Sequence, residues 1–406
     1  MSLPLNTIIN IRKEKNMGKF GKKNHISLDP ANCSIIFLGQ PKIGKTTLMK
    51  EFAEKTVGED GYLFLEMYRE QGADLIEGIN YENIETWAKF EEVVSDIEVN
   101  KDTDYPELKM VMIDTWDNAI LLAEQEALRL WNRDPDHKRT DNISAAYGGF
   151  QRGQDKAGEL LDEMKSRLEA VGIKVDIIMH VKNKEITDPV MGDTYQQITS
   201  DVSQKYFNRI KRNMDVTAVG YIDREIIKEK TGKKTIKGED IEKNIISSET
   251  RKIKFRDNGY AIDAGGRLKY IVDDIDFTSE SFYKAIKDAL KAEAENNGVD
   301  LKERAKEDKA KAKKEEAEAA EVIKENKRKS KIDAEHNEEL VADIKTIFSH
   351  ADGVVKDKCR DIVKNAKIKN FDELLEMETD KLEALANEFR DVLREYSKDD
   401  DEASED

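Results

Sequence analysis

Apolar and polar positions along this chain predict a layered core followed by helices. Short runs dominated by apolar residues, Ser34–Leu38, Tyr62–Glu66, Met110–Ile113 and Val175–Met179, each have a glycine or charged residue at one end at least: Gly39, Gly61, Lys109 with Asp114, and Lys174. Runs of that length beside such breakers read as buried strands. Between them apolar residues recur every three or four positions: Trp87, Phe90, Val94 and Ile97 within 84–97, Ala119, Leu122, Ala123, Ala127 and Leu130 within 116–131, then Leu160, Met164 and Leu168. That is the spacing of helices with one buried face. Helices are also expected over 47–55 and 206–210, and strands over Val216–Ile222 and Lys252–Phe255. Asp188, Pro189, Gly192 and Asp193 supply turn chemistry for a hairpin over Thr187–Thr199. Strands alternating with helices predict an α/β fold around a mostly parallel sheet, closing near Phe277.

The pattern then changes. All six prolines lie at or before Pro189, so the second half tolerates long helices. Thr278 or Ser279 can cap a helix whose apolar face is Phe282, Tyr283, Ile286 and Leu290. From Leu301 to Asp333, Lys, Glu and Ala dominate with opposite charges three or four apart, which predicts a solvated helical spacer. Val341, Ile344, Ile347 and Phe348 make one further helical stripe, Asn370-Phe371-Asp372-Glu373 opens a second helix in capping-box fashion, and Thr379 caps a third carrying Leu382, Leu385, Phe389 and Leu393. The expected organisation is a basic arm (1–30), an α/β core (31–277), a helix and charged spacer (278–336), a small all-α module (337–397) and an acidic tail (398–406).

Charge refines this picture. The 406 residues carry 68 Lys+Arg against 85 Asp+Glu, a net charge of −17, which argues against a uniformly basic nucleic-acid coat protein. Residues 337–406 hold 21 acidic and 11 basic side chains, so most of the surplus belongs to the module and tail, and a local basic groove in the core stays compatible with it. The tail is expected to compete with nucleic-acid phosphates for such a groove. Cys33 and Cys359 are too few for a disulfide framework or zinc site, which predicts a reducing compartment. The longest apolar run is five residues, Ala119–Ala123, and the N-terminus has no apolar signal core. The expectation is a cytoplasmic protein with no membrane partner.

The strongest chemical signal is Gly39-Gln40-Pro41-Lys42-Ile43-Gly44-Lys45-Thr46, followed by Thr47. It fits G-x-x-x-x-G-K-[ST] between an apolar strand and a helix, the context in which backbone N–H groups cradle phosphates. Lys45 then reaches the β- and γ-phosphates, Thr46 ligates Mg²⁺, and the helix N-terminus adds its dipole. The predicted cofactors are ATP and Mg²⁺. Asp114 ends an apolar strand and is expected to hold the metal through water. Thr115 follows it, not the Glu that loader and unfoldase P-loop ATPases usually place there, so the chain finds its water-activating base elsewhere or is a slow switch. Glu66, at the end of the strand that follows the phosphate-loop helix, is the leading choice and Glu70 the alternative. His180 closes the strand at Val175–Met179, where it would sense the γ-phosphate.

This order of phosphate loop, Glu66, Asp114-Thr115, helix and His180 resembles the core of RecA-type recombinases, and more narrowly the phage-encoded single-domain RecA-like nucleotide-binding proteins. The resemblance covers about residues 30–277. It departs from the family at Leu65-Glu66-Met67-Tyr68, where Asp-x-Glu is usual, and at His180, where recombinases often have Gln. It implies ATP-dependent assembly on single-stranded DNA, annealing or strand exchange in recombination or repair, and homo-oligomers (ring or filament) with ATP between subunits. It places the DNA-facing loops at Asn132–Gln154 and Lys182–Thr199. There Lys138, Arg139, Arg152, Lys182 and Lys184 would follow the phosphates and Tyr147 and Phe150 would stack on bases. Arg256 and Arg267 are candidates to reach a neighbour's phosphates, and for a phage protein the compartment would be the host cytoplasm. Two other readings stand beside this one: a replication accessory or helicase-loading ATPase whose C-terminal module docks a single-strand-binding or replication protein, and a nucleotide-gated scaffold without turnover.

Overall fold

The computed structural model describes residues 26–187, 192, 194–234, 240–257, 263–351, 353–366, 368, 370–377 and 379–402. The N-terminal arm through residue 25, the turn residues Asp188, Pro189 and Asp193, and the last four residues of the acidic tail lie outside them. The described chain separates into two compact units, one drawn from 26–87, 107–165 and 173–314, the other from 88–106, 166–172 and 315–402.

The first unit holds a ten-stranded sheet built from β1 (Ile35–Gly39), β2 (Tyr62–Met67), β3 (Tyr81–Ile84), β4 (Met110–Asp114), β5 (Lys174–Thr187), β6 (Thr194–Ser200), β7 (Val216–Lys234), β8 (Asp240–Lys254), β9 (Gly265–Gly266) and β10 (Asp274–Asp276). Its order is β10-β8-β7-β1-β5-β4-β2-β3, with β6 on β5 and β9 on β7. Strands β7, β1, β5, β4, β2 and β3 run parallel, and the pairs β5–β6, β7–β8, β7–β9 and β8–β10 are antiparallel. Alternate strand residues Ile35, Phe37, Phe64, Met110, Met112 and Ile178 point to one face. There they meet Leu48, Met49 and Phe52 of α1 (Lys45–Val57) and Phe282, Ile286 and Leu290 of α6 (Ser279–Asn296) in one buried cluster. Their neighbours Ile36, Leu38, Leu65, Val111, Ile113 and Ile177 are equally buried on the opposite face. Thr278 caps α6 by accepting from the Ser281 N–H. Also in the unit are α3 (Trp116–Arg133) and α5 (Gln204–Lys211), with most of α4 (Arg152–Ala170).

In the second unit lie α2 (Trp87–Asn100) from Ala88 onward, residues 315–350 of α7 (Leu301–His350), α8 (Gly353–Asn365) and α9 (Thr379–Glu402). Leu340, Val341, Ile344, Ile347, Cys359, Leu374, Leu382, Leu385 and Phe389 make its own apolar core. Arg167 donates to Glu98 and Ser95, and Lys327 pairs with Asp102 at 2.5 Å.

Several expectations change. The charged spacer and the first stripe of the module are one 50-residue helix, α7, and Ala319 and Ile323 on it are buried, so it is not solvated all round. The helix after it is α8, whereas Phe371–Glu376 forms only a short 3-10 turn. Ile84 ends the edge strand β3 rather than opening a helix. Strands β7 and β8 extend far beyond their apolar segments into a long two-stranded arm, paired from Val219–Lys254 out to Lys234–Asp240. Ladder hydrogen bonds pair that extension, and charged residues carry little strand signal. No helix among the described residues is long and apolar enough to cross a membrane.

Candidate functional site

Parallel register brings the carboxyl ends of β1, β4 and β2 level with the middle of β5, which lies between β1 and β4. Gly39 of β1 aligns with His180 of β5, and Asp114 of β4 with Glu66 of β2. Ligand crevices of open α/β sheets form at this edge. Gly39 ends β1, Gln40 to Gly44 form the loop, and Lys45, Thr46 and Thr47 make the first turn of α1. The loop needs left-handed backbone at Lys42 (φ 63°) and Gly44 (φ 105°), which turns successive N–H groups toward one side.

Lys45 is 6% exposed, and its ammonium donates to the Gln40 carbonyl at 3.2 Å. Burial pulls its pKa down, against the pull of Asp114 and Glu70. The Thr46 hydroxyl donates to Asp114 Oδ2 at 2.6 Å. Asp114 is 1% exposed, and burial pushes its carboxyl up to about 6. Glu66 Oε1 accepts from the Ala73 N–H at 2.5 Å, while its buried Oε2 has no hydrogen-bond partner. Burial raises the Glu66 pKa, and the Ala73 amide opposes that rise. Glu70 approaches the same space, since its Oε1, Glu66 Oε1 and Thr46 Oγ1 all lie within 4 Å of the Cβ position of Gly72.

His180 does not end its strand, because β5 continues to Thr187. It lies instead between the phosphate loop and Asp114, for β5 separates β1 from β4. Its backbone N–H donates to Asp117 Oδ2 at 3.0 Å and its Nδ1 lies 3.3 Å from the same oxygen.

These residues fit a nucleotide with Mg²⁺. Among the described residues no three His, Cys, Asp or Glu side chains gather as a metal site. Mg²⁺ ordinarily needs only one or two protein oxygens beside phosphates and water. Thr46 would supply one directly and Asp114 would hold the ion through water, and the partnerless atoms Glu66 Oε2 and Thr115 Oγ1 are the kind that a hydrated ion satisfies. The bound ion would neutralise charge on the transferred phosphoryl group.

One residue here escaped sequence reasoning. Arg251 of β8 donates to the Ile43 carbonyl at 3.1 Å, 208 residues away in sequence, and its own carbonyl accepts from Phe277, whose ring approaches Gly44. No local signal marks it. Arg256 and Arg267, the arginines expected to reach a neighbour, are instead held within the chain. Arg256 binds the carbonyls of Lys269 and Ile271 and pairs with Asp273. Arg267 pairs with Asp215, which precedes β7 at the sheet edge opposite the phosphate loop.

The candidate DNA residues divide. Trp131 stacks on His137 at 3.6 Å, donates to the Lys138 carbonyl and packs on Tyr147 at 5.1 Å. The Tyr147 hydroxyl donates to Ala127, so that ring is a packing group of α3. Lys138 and Arg139 are exposed beside the last turn of α3, about 27 Å along the helix from its start at the site. Phe150, 93% exposed, and exposed Arg152 stand at the start of α4. Lys182 and Lys184 are strand positions on the β5–β6 arm, not loop residues, and Lys182 pairs with Asp201 at 3.4 Å.

Compared with known families, residues 31–245, just over half of the 406-residue chain, match the model of a family described as an AAA domain. No curated protein matches the chain.

Proposed function

The chain belongs to the AAA domain family of P-loop ATPases, and from that premise we propose that it binds Mg²⁺-ATP through Gly39–Thr47 and Asp114, hydrolyses it, and couples this to single-stranded DNA as a RecA-like protein of the phage recombination type. The observation carrying the ATPase reading is the convergence of Lys45, the Thr46–Asp114 pair, Glu66 and His180 on one sheet edge. In the proposed mechanism the loop amides and Lys45 orient the phosphates, which places the γ-phosphate toward His180. Glu66, with a raised pKa and a partnerless oxygen, takes the proton of the attacking water, a role general bases fill best when their pKa approaches the working pH. His180 links that γ-phosphate position to the β5–β6 arm through the strand it sits in.

The DNA reading is supported by what leaves the same edge. Past His180 and Gly220, strands β5 and β7 run on into arms, the first with Lys182 and Lys184 on it. Phe150 supplies an exposed aromatic, and cations plus aromatics are what single strands require. The helical module, with its separate core, is proposed to recruit a single-strand-binding or replication protein. The test is ATP turnover by the full chain and by Lys45→Ala, with and without single-stranded DNA. DNA-stimulated turnover that Lys45→Ala abolishes is expected. Turnover raised only by a replication partner would favour a helicase-loading role, and binding without turnover a scaffold.

A further inference from the structure

The geometry points to Gly72 as a positioning residue: we infer that its missing side chain keeps open the space that the hydration shell of the nucleotide-bound Mg²⁺ needs beside Thr46. The inference rests on the ATPase reading above and deepens it. Gly72 precedes the 3-10 turn Ala73–Leu75 with φ −77° and ψ −30°, a right-handed conformation open to any residue. Its backbone therefore gives no reason for glycine.

Packing gives none either. A Cβ at this position would lie 3.7 Å from Thr46 Oγ1, 3.8 Å from Glu66 Oε1 and 3.9 Å from Glu70 Oε1, all ordinary contact distances. The protein as it stands would accept alanine. The three atoms nearest that methyl are the hydroxyl expected on the metal and the two carboxylates that compete for the role of base. Mg²⁺ holds its ligands near 2.1 Å in an octahedron and keeps several waters. A water adjacent to Thr46 Oγ1 in that octahedron sits about 3 Å from it, so one directed toward Gly72 would overlap a carbon held 3.7 Å from the same oxygen. Thr46 and Asp114 are already joined at 2.6 Å and Glu66 is pinned by the Ala73 amide. These contacts limit how far Thr46, Asp114 and Glu66 can shift to relieve such an overlap.

The experiment uses the full chain as wild type and as Gly72→Ala, with Gly72→Ser as a second variant whose hydroxyl can replace one water. Melting temperature without nucleotide, affinity for a fluorescent ATP analogue in EDTA and across a Mg²⁺ titration, and turnover are measured together. For Gly72→Ala we expect melting unchanged or higher, analogue affinity in EDTA within twofold, and a Mg²⁺ requirement raised at least fivefold. Turnover should fall at least tenfold, with Gly72→Ser between the two. A Mg²⁺ requirement equal to wild type in a normally melting Gly72→Ala overturns the inference. So does a sharp fall in melting temperature for both variants, which would make the glycine a packing requirement. A wild type whose analogue affinity matches that of Lys45→Ala overturns the ATPase reading itself.

Discussion

Replacing Asp114 by Asn should stabilise the protein while removing its response to Mg²⁺. The carboxyl is 1% exposed, and burial raises its pKa from the ordinary 3.8 to about 6. A folded-state pKa above the unfolded one means that the stabilising contribution is complete below about 4 and is lost as pH rises through about 6. The gap of about two units corresponds to roughly 3 kcal/mol of penalty at neutral pH, or about 6–12 °C in melting temperature for a domain of this size. Asn is nearly isosteric and its Oδ1 can still accept from Thr46, so Asp114→Asn removes the charge and leaves the hydrogen bond. Asp176 is also raised by burial, but both proteins share it and it cancels in the difference; Glu66, also raised by burial, repels the Asp114 charge, so losing that charge relieves Glu66 as well and acts in the same direction. The assay is melting temperature against pH from 4.5 to 8 without nucleotide, then at pH 7.5 with Mg²⁺ and ATP. Asp114→Asn should melt several degrees above wild type at pH 7.5, with the gap shrinking to about a third of that at pH 4.5, and Mg²⁺-ATP should raise wild type alone. A difference independent of pH, or a variant less stable throughout, would refute the reasoning.

Glu66→Gln is expected to keep ATP affinity within threefold while turnover falls about 100-fold or more. Glu70→Gln should cost less than tenfold, and the reverse order would transfer the base to Glu70. Because burial raises the Glu66 pKa, the acid limb of the wild-type rate should lie above the ordinary carboxylate range. Arg251→Ala, which frees the Ile43 carbonyl, should weaken ATP binding about three- to tenfold, as measured by titration. Phe389→Ala, at a fully buried position of the helical module, should cost about 3–5 kcal/mol, visible as faster hydrogen exchange in α8 and α9.

By itself the sequence determined the phosphate loop, the strands β1, β2 and β4, and the α/β class, because each depends on contiguous residues. A run such as Ile35–Leu38 reads as buried whatever its neighbours are, and Gly39–Thr46 carries its amides, cation and hydroxyl in one turn of chain. Asp114 and Glu66 were legible as strand ends for the same reason. Tertiary structure alone decided which strands lie side by side. With β5 between β1 and β4, His180 stands next to the loop but in mid-strand. Pairing also carried β7 and β8 outward through charged residues, brought Arg251 to Ile43, and drew Arg256 and Arg267 into contacts of their own. Gly72 acquired its place only when β2 and α1 brought Glu66 and Thr46 to either side of it. Hydrogen bonds along a ladder and contacts across a site are satisfied by whatever chain arrives there. They leave little periodic trace in the residues that make them.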